Sequence, residues 1–322
     1  MLTVSNADRI VFPEVGVTKG AVVAYYDRIA SRAFAHVAER PLSIKRFPKG
    51  VAEPGFFQKN VPPHYPASFG RIAIPRSKEA SKMHPRPRRS SKSVADEDVT
   101  VYPVVREPAH LAYLANQGAI ELHVPLTRAA DLLHPDRVVI DLDPPEGAFA
   151  LVRRAALQVR DALGSLGLPT VPVATGSKGY HLVAAVRPAV DLDTMAVTLH
   201  KAGALLAARH PAELTTAFRV AQRGGRVFVD WLRNRHGATV VAPYSLRARP
   251  RATVAAPLTW DEIATTAPDA FALADLDRLL DRVDPLAELA LKPSDAVPFV
   301  TAVDTDFEKA GLVLEAFDRF RS

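Results

Sequence analysis

Two aspartates stand two residues apart in VVIDLDPP, and a strand there sends Asp141 and Asp143 out through one face while Ile140 and Leu142 enter the other. Pro144 and Pro145 end such a strand. Like charges on one face repel unless something positive lies between them, and a divalent cation is the usual answer. A hydrated strand end or a helix cap is the plainer alternative, because Asp-x-Asp by itself carries little information. A third aspartate, Asp230 in RVFVDW, sits between Val229 and Trp231, where an ionised carboxylate is costly unless paired or metal-bound. If this strand neighbours the first, three carboxylates converge, a donor set that suits Mg²⁺ or Mn²⁺ with positions open for water and phosphate oxygens. A salt bridge to Arg223, Arg226 or Arg233 is the competing reading.

The run TGSKGYH, residues 175–181, lies between two strand-like segments. Its glycines permit a tight backbone with free N–H groups, Thr175 and Ser177 bring hydroxyls, and Lys178 brings a point charge, which together make a phosphate cradle. The spacing is not that of a P-loop, and an ordinary hairpin turn remains the alternative. Near the N-terminus, Lys45 and Arg46 are followed by FFQK. Adjacent Phe56 and Phe57 on an extended segment point to opposite faces, so at least one is exposed unless both faces are covered. An exposed ring beside Lys59 can stack on a base at about 1–3 kcal/mol; core packing is the alternative for either ring alone.

The elements that must position these residues follow from periodicity. Residues 20–40 have helical spacing, followed by the strand-like LSIKRF, RIAIP and TVYPVV, with a basic, Ser- and Pro-rich insertion between the last two. A short helix at HLAYLANQG leads to IELHVP and VVIDLD. A helix over 149–164 comes next, then TVPVA, the GSKG turn and YHLVAAV. A helix over about 193–210 precedes a hairpin-like pair, RVFVDW and TVVAPYS, and the acidic, Pro-punctuated remainder after 257 is helical.

Forty-eight per cent hydrophobic and 24% charged residues over 322 positions describe a chain able to bury a large core, and exclude a disordered or fibrous protein. No apolar run approaches the roughly 18–20 residues of a membrane span, and MLTVSNADRIVF lacks the plan of a secretory signal, so a cytoplasmic protein without membrane contact is expected. The absence of cysteine excludes disulfides, thiolate zinc sites and a cysteine nucleophile. Net charge is +6, and the tract from Arg76 to Lys92, with seven basic residues against Glu79 alone, holds all of it. Such a tract suits a polyanion, and equally suits a solvated surface loop; the two readings are compatible.

In this order, KRFP with FFQK, LHVP, VIDLDPP, TGSKGYH, FVDW and APYSLR resemble the polymerase domain of bacterial ATP-dependent end-joining DNA ligases, within the archaeo-eukaryotic primase superfamily. The resemblance covers most of residues 1–260; each piece is weak and the ordered set is specific. With no Lys-x-Asp-Gly ligase signature, the expectation is a stand-alone member similar to actinobacterial primase-polymerases. The implied fold is α/β (α+β): a primase-like catalytic core with an RRM-like antiparallel sheet plus an N-terminal α/β module. The expected division is 1–130 for the N-terminal module with DNA-end and template contacts, including the basic insertion at 76–98, then 131–256 for the catalytic module and 257–322 for a helical extension, all in one catalytic unit.

What the resemblance implies is DNA-dependent nucleotidyl transfer, of ribonucleotides by preference, at short gaps or broken ends in repair. Asp141, Asp143 and Asp230 match the ligands of two ions, Mn²⁺ or Mg²⁺. Thr175, Lys178 and His181 match positions serving the incoming NTP or dNTP, with Thr in place of the more usual Ser, and Lys45, His123, Arg223 and Arg247 match further nucleotide-pocket positions. Phe56 and Phe57 match the pair that stacks on the template strand. Asn6, Arg9, Lys19 and Lys59 match a pocket for a downstream 5′-phosphate, Arg9 standing where lysine is usual. Arg233 stands where ligase-fused relatives carry an uncharged polar residue, which points to altered template or nucleotide contacts, and the basic tract is longer than the corresponding loop. The expected protein is a nucleoid-associated monomer working with a ligase or an end-binding repair protein. A catalytically silent DNA-end-binding module is the alternative, and a metal-dependent phosphohydrolase a more distant one.

Overall fold

Residues 2–75 and 99–314 are described by the computed structural model; the basic tract and the last eight residues lie outside them. A short pair of strands, β1 (Ile10–Phe12) and β2 (Val17–Thr18), leads into α1 (Lys19–Arg28) and α2 (Ala30–Val37). The Thr18 hydroxyl caps α1 by accepting from the Ala21 N–H at 3.2 Å. The single helix expected over 20–40 is thus two, bent at Ile29, which is fully buried and lets the pair wrap the core. Next come β3 (Ser43–Arg46), β4 (Phe56–Gln58), β5 (Gly70–Pro75), β6 (Val99–Val104), α3 (Ala109–Asn116) and β7 (Ala119–Val124). β5 and β6 pair antiparallel, so the insertion at 76–98 joins two adjacent strands.

The second half runs β8 (Arg137–Asp143), α4 (Phe149–Ser165), β9 (Val171–Ala174), β10 (Tyr180–Ala185), α5 (Leu192–Arg209), β11 (Leu214–Thr215), β12 (Val227–Asp230), β13 (Val240–Val241), β14 (Ala256–Pro257), α6 (Leu276–Asp281), α7 (Pro285–Ala290) and α8 (Ala296–Lys309). Six strands form the larger sheet in the order β11-β12-β8-β10-β9-β14, antiparallel except for β11 beside β12. α4 packs across β8, β10 and β12, and α8 packs on α5. A four-stranded sheet, β13-β7-β3-β4, stands beside it.

β12 and β13 do not form the hairpin expected for RVFVDW and TVVAPYS: β12 joins the larger sheet and β13 pairs with β7 in the smaller one. The cause is Asn234, wholly buried just past the end of β12. Its Oδ1 accepts from the Val139 N–H at 2.9 Å and its Nδ2 donates to the Val139 carbonyl at 2.6 Å, so a side-chain amide continues the ladder on β8 where β12 stops. The chain is then free to cross to the other sheet.

Buried polar contacts tie the halves together. Arg40 donates from Nη2 to both oxygens of Asp136, at 2.7 and 2.6 Å, and from Nη1 to the Thr127 carbonyl at 3.1 Å. Asp284, at the start of α7, meets His36 Nε2 at 2.8 Å and accepts from the Tyr244 hydroxyl at 2.9 Å, fastening the C-terminal helices to α2.

The turn between β9 and β10 depends on glycine at two places. Gly176 has φ +65°, and a Cβ on Gly179 would lie 1.9 Å from the Leu142 carbonyl oxygen, between the two aspartates of β8. Gly179→Ala should therefore lower stability by about 1–3 kcal/mol. Gly164→Ala, whose Cβ meets nothing within 4 Å near the end of α4, should be neutral or slightly stabilising. Urea melts of the two variants check this, and equal midpoints would contradict the close approach.

Candidate active site

Backbone register brings the sequence-predicted carboxylates together. On β8, Asp141 is directly opposite His181 of β10 on one side and Asp230 of β12 on the other, while Asp143 lies opposite Phe228. Asp141, Asp230 and His181 are buried, and Asp143 is half-buried. Each carboxylate faces a cation. Arg233 Nε is 3.2 Å from Asp141 Oδ2 and 3.4 Å from Asp230 Oδ2, His181 Nε2 is 3.7 Å from Asp141, and Lys178 Nζ and Arg223 Nη1 are each 3.9 Å from Asp143. Arg233 thus makes the salt bridge to Asp230 that was the competing reading of that residue, and extends it to Asp141.

The three acids differ in how well this compensates for burial. Burial pushes the Asp141 carboxyl up, but His181 and Arg233 outweigh it and hold the group below the usual carboxylate range. Burial and then the charge of Asp141 raise Asp143. Burial and Asp141 push Asp230 up to about 6, even though Arg233 and the Leu232 N–H, which donates to Oδ1 at 2.8 Å, pull the other way. Burial is the first cause of the upward push at each of the three acids, and at Asp230 the nearby Arg233 does not offset it. Three carboxylate donors and no thiolate fit a hard divalent ion. As the side chains lie, no three acidic or histidine groups among the described residues stand in ligating geometry, and Arg233 reaches into the space between two of the acids.

The Thr175–His181 run is a glycine turn in the structure, with Lys178 half-exposed beside Asp143. The Thr175 hydroxyl donates to the Gly179 carbonyl at 2.7 Å, closing the turn on itself, and Ser177 Oγ accepts from Arg249 at 2.8 Å. Arg247 links the sheets: its Nη1 donates to the Thr175 carbonyl, and its Nε, without a hydrogen-bond partner, lies 3.5 Å from Glu121 on β7. Glu121 also meets His123 Nε2 at 3.0 Å and accepts from the Ala248 N–H at 3.0 Å. Burial raises the Glu121 carboxyl, but His123, Arg247 and that N–H bring it down to about 2. Burial lowers the His123 imidazole against the pull of Glu121. Glu121 was not anticipated, although Glu121 and His123 in IELHVP repeat the i, i+2 spacing of the aspartates. Lys45 lies 5.3 Å from the Phe47 ring and 5.8 Å from Phe57, whose ring meets His123 edge-on at 5.2 Å.

Both phenylalanines of β4 are exposed, Phe56 at 48% and Phe57 at 52%, on the edge of the smaller sheet, with Lys59 just beyond. A separate cationic group forms at the N-terminus. Lys19 is buried, its Nζ donating to Ser5 O at 2.7 Å and Ser5 Oγ at 2.8 Å, and burial together with the Arg9 charge lowers its pKa. The Arg9 carbonyl accepts the Lys19 N–H at 2.8 Å and its Nε lacks a partner, while Asn6 turns the chain with φ 51°. Asn6, Arg9 and Lys19 are thus brought together, and Lys59 directly follows β4.

One stability test follows from Asp230. Between its unfolded value of 3.8 and about 6, the folded protein holds a proton that the unfolded chain has lost, so stability falls as pH rises through that window. Without added metal at pH 7.5, Asp230→Asn should melt above the parent by about 1–3 kcal/mol, and the gain should vanish below about pH 3, where the parent carboxyl is neutral in both states. A variant no more stable at pH 7.5 would contradict the charge balance drawn here.

Comparison with known proteins gives the family. The model of the LigD primase-polymerase domain matches residues 18–286. The chain is 36% identical over 271 residues to the multifunctional non-homologous end joining DNA repair protein LigD of Mycobacterium tuberculosis, covering 81% of this chain and 33% of that protein. It is 36% identical over 295 residues to the multifunctional non-homologous end joining protein LigD of Mycolicibacterium smegmatis, covering 91% and 36%. The chain thus spans about a third of the length of these relatives. Among solved structures, the polymerase domain from Mycobacterium tuberculosis Ligase D in complex with DNA matches with a TM-score of 0.78 at 33% identity, covering 91% of this chain and 99% of that one. With the carboxylate strands, the glycine turn and the two sheets all falling inside the matched region, the chain belongs to the LigD primase-polymerase domain family.

Proposed function

We propose that this chain is a DNA-dependent nucleotidyltransferase that inserts one or a few nucleotides, by preference ribonucleotides, at short gaps or broken ends during end-joining repair. The observation that carries the reading is the row His181–Asp141–Asp230 across β10, β8 and β12, with Asp143 facing Lys178 and Arg223 beside the glycine turn. Asp141, Asp143 and Asp230 would hold two Mg²⁺ or Mn²⁺ ions, which when bound supply positive charge for the primer 3′-hydroxyl and the departing pyrophosphate.

The chain's own residues do the positioning. Lys178, half-exposed, is held near Asp143 loosely enough to turn toward triphosphate oxygens, whereas Arg223 is fixed by the Ala217 and Phe218 carbonyls and the Phe228 ring and offers its Nη1 in place. Arg247 and Glu121 fix the pocket between the sheets, so that His123 and Lys45 from the smaller sheet face a nucleotide bound at the larger one. Exposed Phe56 and Phe57 stack on template bases. Asn6, Arg9, Lys19 and Lys59 receive a downstream 5′-phosphate, and a ligase or end-binding repair protein completes the repair. DNA as substrate is supported by the DNA bound to the solved relative.

With a short-gapped, 5′-phosphorylated duplex, each NTP or dNTP and Mn²⁺, the parent should extend the primer, and Asp141→Ala should lose about a hundredfold or more of the rate. Binding without any extension by the parent would instead favour a silent end-binding module, and equal extension by the variant would refute the metal site. Lys19→Ala should weaken binding of the phosphorylated gap about tenfold and leave the unphosphorylated gap nearly unchanged. An equal loss on both would remove the 5′-phosphate pocket.

A further inference from the structure

Arg233 occupies a position that the proposed chemistry does not use. Its Nε–H donates to Asp141 Oδ2 at 3.2 Å and lies 3.4 Å from Asp230 Oδ2. These are the two residues set directly opposite each other on neighbouring strands. Among the described residues it is the cation that bridges two of the three carboxylates. Lys178 and Arg223 serve Asp143, and His181 serves Asp141.

The way Arg233 is mounted separates a fixed part from a movable one. Its backbone lies in the 3₁₀ turn Leu232–Asn234, which is locked by the buried Asn234 amide on Val139. Its side chain is 43% exposed, against 10% for Asp141 and 6% for Asp230, so the guanidinium enters from solvent and has an open way back. The same residue lines a mainly apolar cavity with Tyr102, Leu126 and Leu132, a surface on which the aliphatic stem can lie once the charged end is released.

We infer that Arg233 is a built-in counter-cation of the carboxylate pair: its guanidinium bridges Asp141 and Asp230, and a divalent ion would bind there only in exchange for it. The inference rests on the proposed metal site and adds how that site is filled. Two buried carboxylates on facing residues need positive charge whether or not an ion is bound, and the guanidinium supplies it while the ion is absent. While the arm is docked the site cannot accept an ion, so the apparent affinity is reduced by the fraction of time the arm is away. Metal uptake thus moves an arginine into solvent, where it is free to meet a phosphate of the arriving nucleic acid or nucleotide.

The test is Mn²⁺ binding to the full chain without nucleotide or DNA, read from the electron paramagnetic resonance signal of free Mn²⁺. The parent, Arg233→Gln, Arg233→Lys and Asp141→Asn are compared. Arg233→Gln should bind about tenfold more tightly than the parent, Arg233→Lys should fall between them, and Asp141→Asn should lose the binding. A second reading needs no change at position 233: in the parent, the Arg233 side-chain Nε–H resonance should shift on saturation with diamagnetic Mg²⁺. If the parent binds Mn²⁺ in an Asp141-dependent way but Arg233→Gln binds no tighter, or if the Nε–H resonance stays where it was, the exchange is overturned and the metal site stands. If the parent shows no Asp141-dependent Mn²⁺ binding, the metal site falls and the inference with it.

Discussion

Carboxylates held side by side on one face of a sheet repel one another, and the centre of this molecule is arranged around that repulsion. Pairing β8 with both β10 and β12 fixes Asp141 between His181 and Asp230, with no freedom for the acids to move apart along the strands. Lys178, Arg223, Arg233 and His181 are the local answer to the charge, and burial with the neighbouring Asp141 still pushes the Asp230 carboxyl up to about 6. A fold that buries ionisable carboxylates in this way gives up stability there, a pattern that marks functional sites. Much of the remaining architecture keeps those strands from relaxing: α4 packs across all three of them, and the Asn234 amide extends their hydrogen bonding.

The smaller sheet supplies the other wall of the site. Glu121 is its anchor, because one buried carboxylate collects His123, the Ala248 N–H and the neighbourhood of Arg247, which itself reaches the glycine turn of the larger sheet. Two sheets with separate hydrogen-bond ladders are in this way tied by a short run of side chains at the place where a nucleotide would lie. The exposed phenylalanines at the edge of the smaller sheet add aromatic character, and the separate Lys19 cluster at the N-terminus adds cationic character. That pairing is what a nicked or gapped duplex offers on its own side: bases free to stack and phosphates to neutralise.

Much of the site was legible in the sequence where the signal was local. The two-residue spacing of Asp141 and Asp143, the proline pair after them, the isolated Asp230 in an apolar run and the glycines around Lys178 each follow from strand alternation or backbone freedom, and each falls where the periodicity places it. The exposure of Phe56 and Phe57 goes beyond the expectation of at least one, since an edge strand covers neither ring. Signals that depend on distant partners were not legible. Asn234 diverts the chain from the hairpin expected of 226–245 through bonds to a residue on another strand, and nothing in the local pattern of that segment marks it. Arg233 was named as one salt-bridge partner for Asp230, but its simultaneous hold on Asp141 exists only once β8 and β12 are neighbours. Glu121 was legible in principle from its spacing to His123, whereas its link to Arg247 comes only from packing one sheet against the other.

The central claim is that three acids from two strands form one divalent-metal site, filled in exchange for an arginine. Diffraction from crystals soaked with Mn²⁺ and a non-hydrolysable nucleoside triphosphate, with data collected at a wavelength where manganese scatters anomalously, tests it most directly. The account predicts anomalous peaks among Asp141, Asp143 and Asp230, with the Arg233 guanidinium withdrawn from both of its carboxylates. Peaks elsewhere, or an Arg233 still bridging Asp141 and Asp230 beside a bound triphosphate, would contradict it.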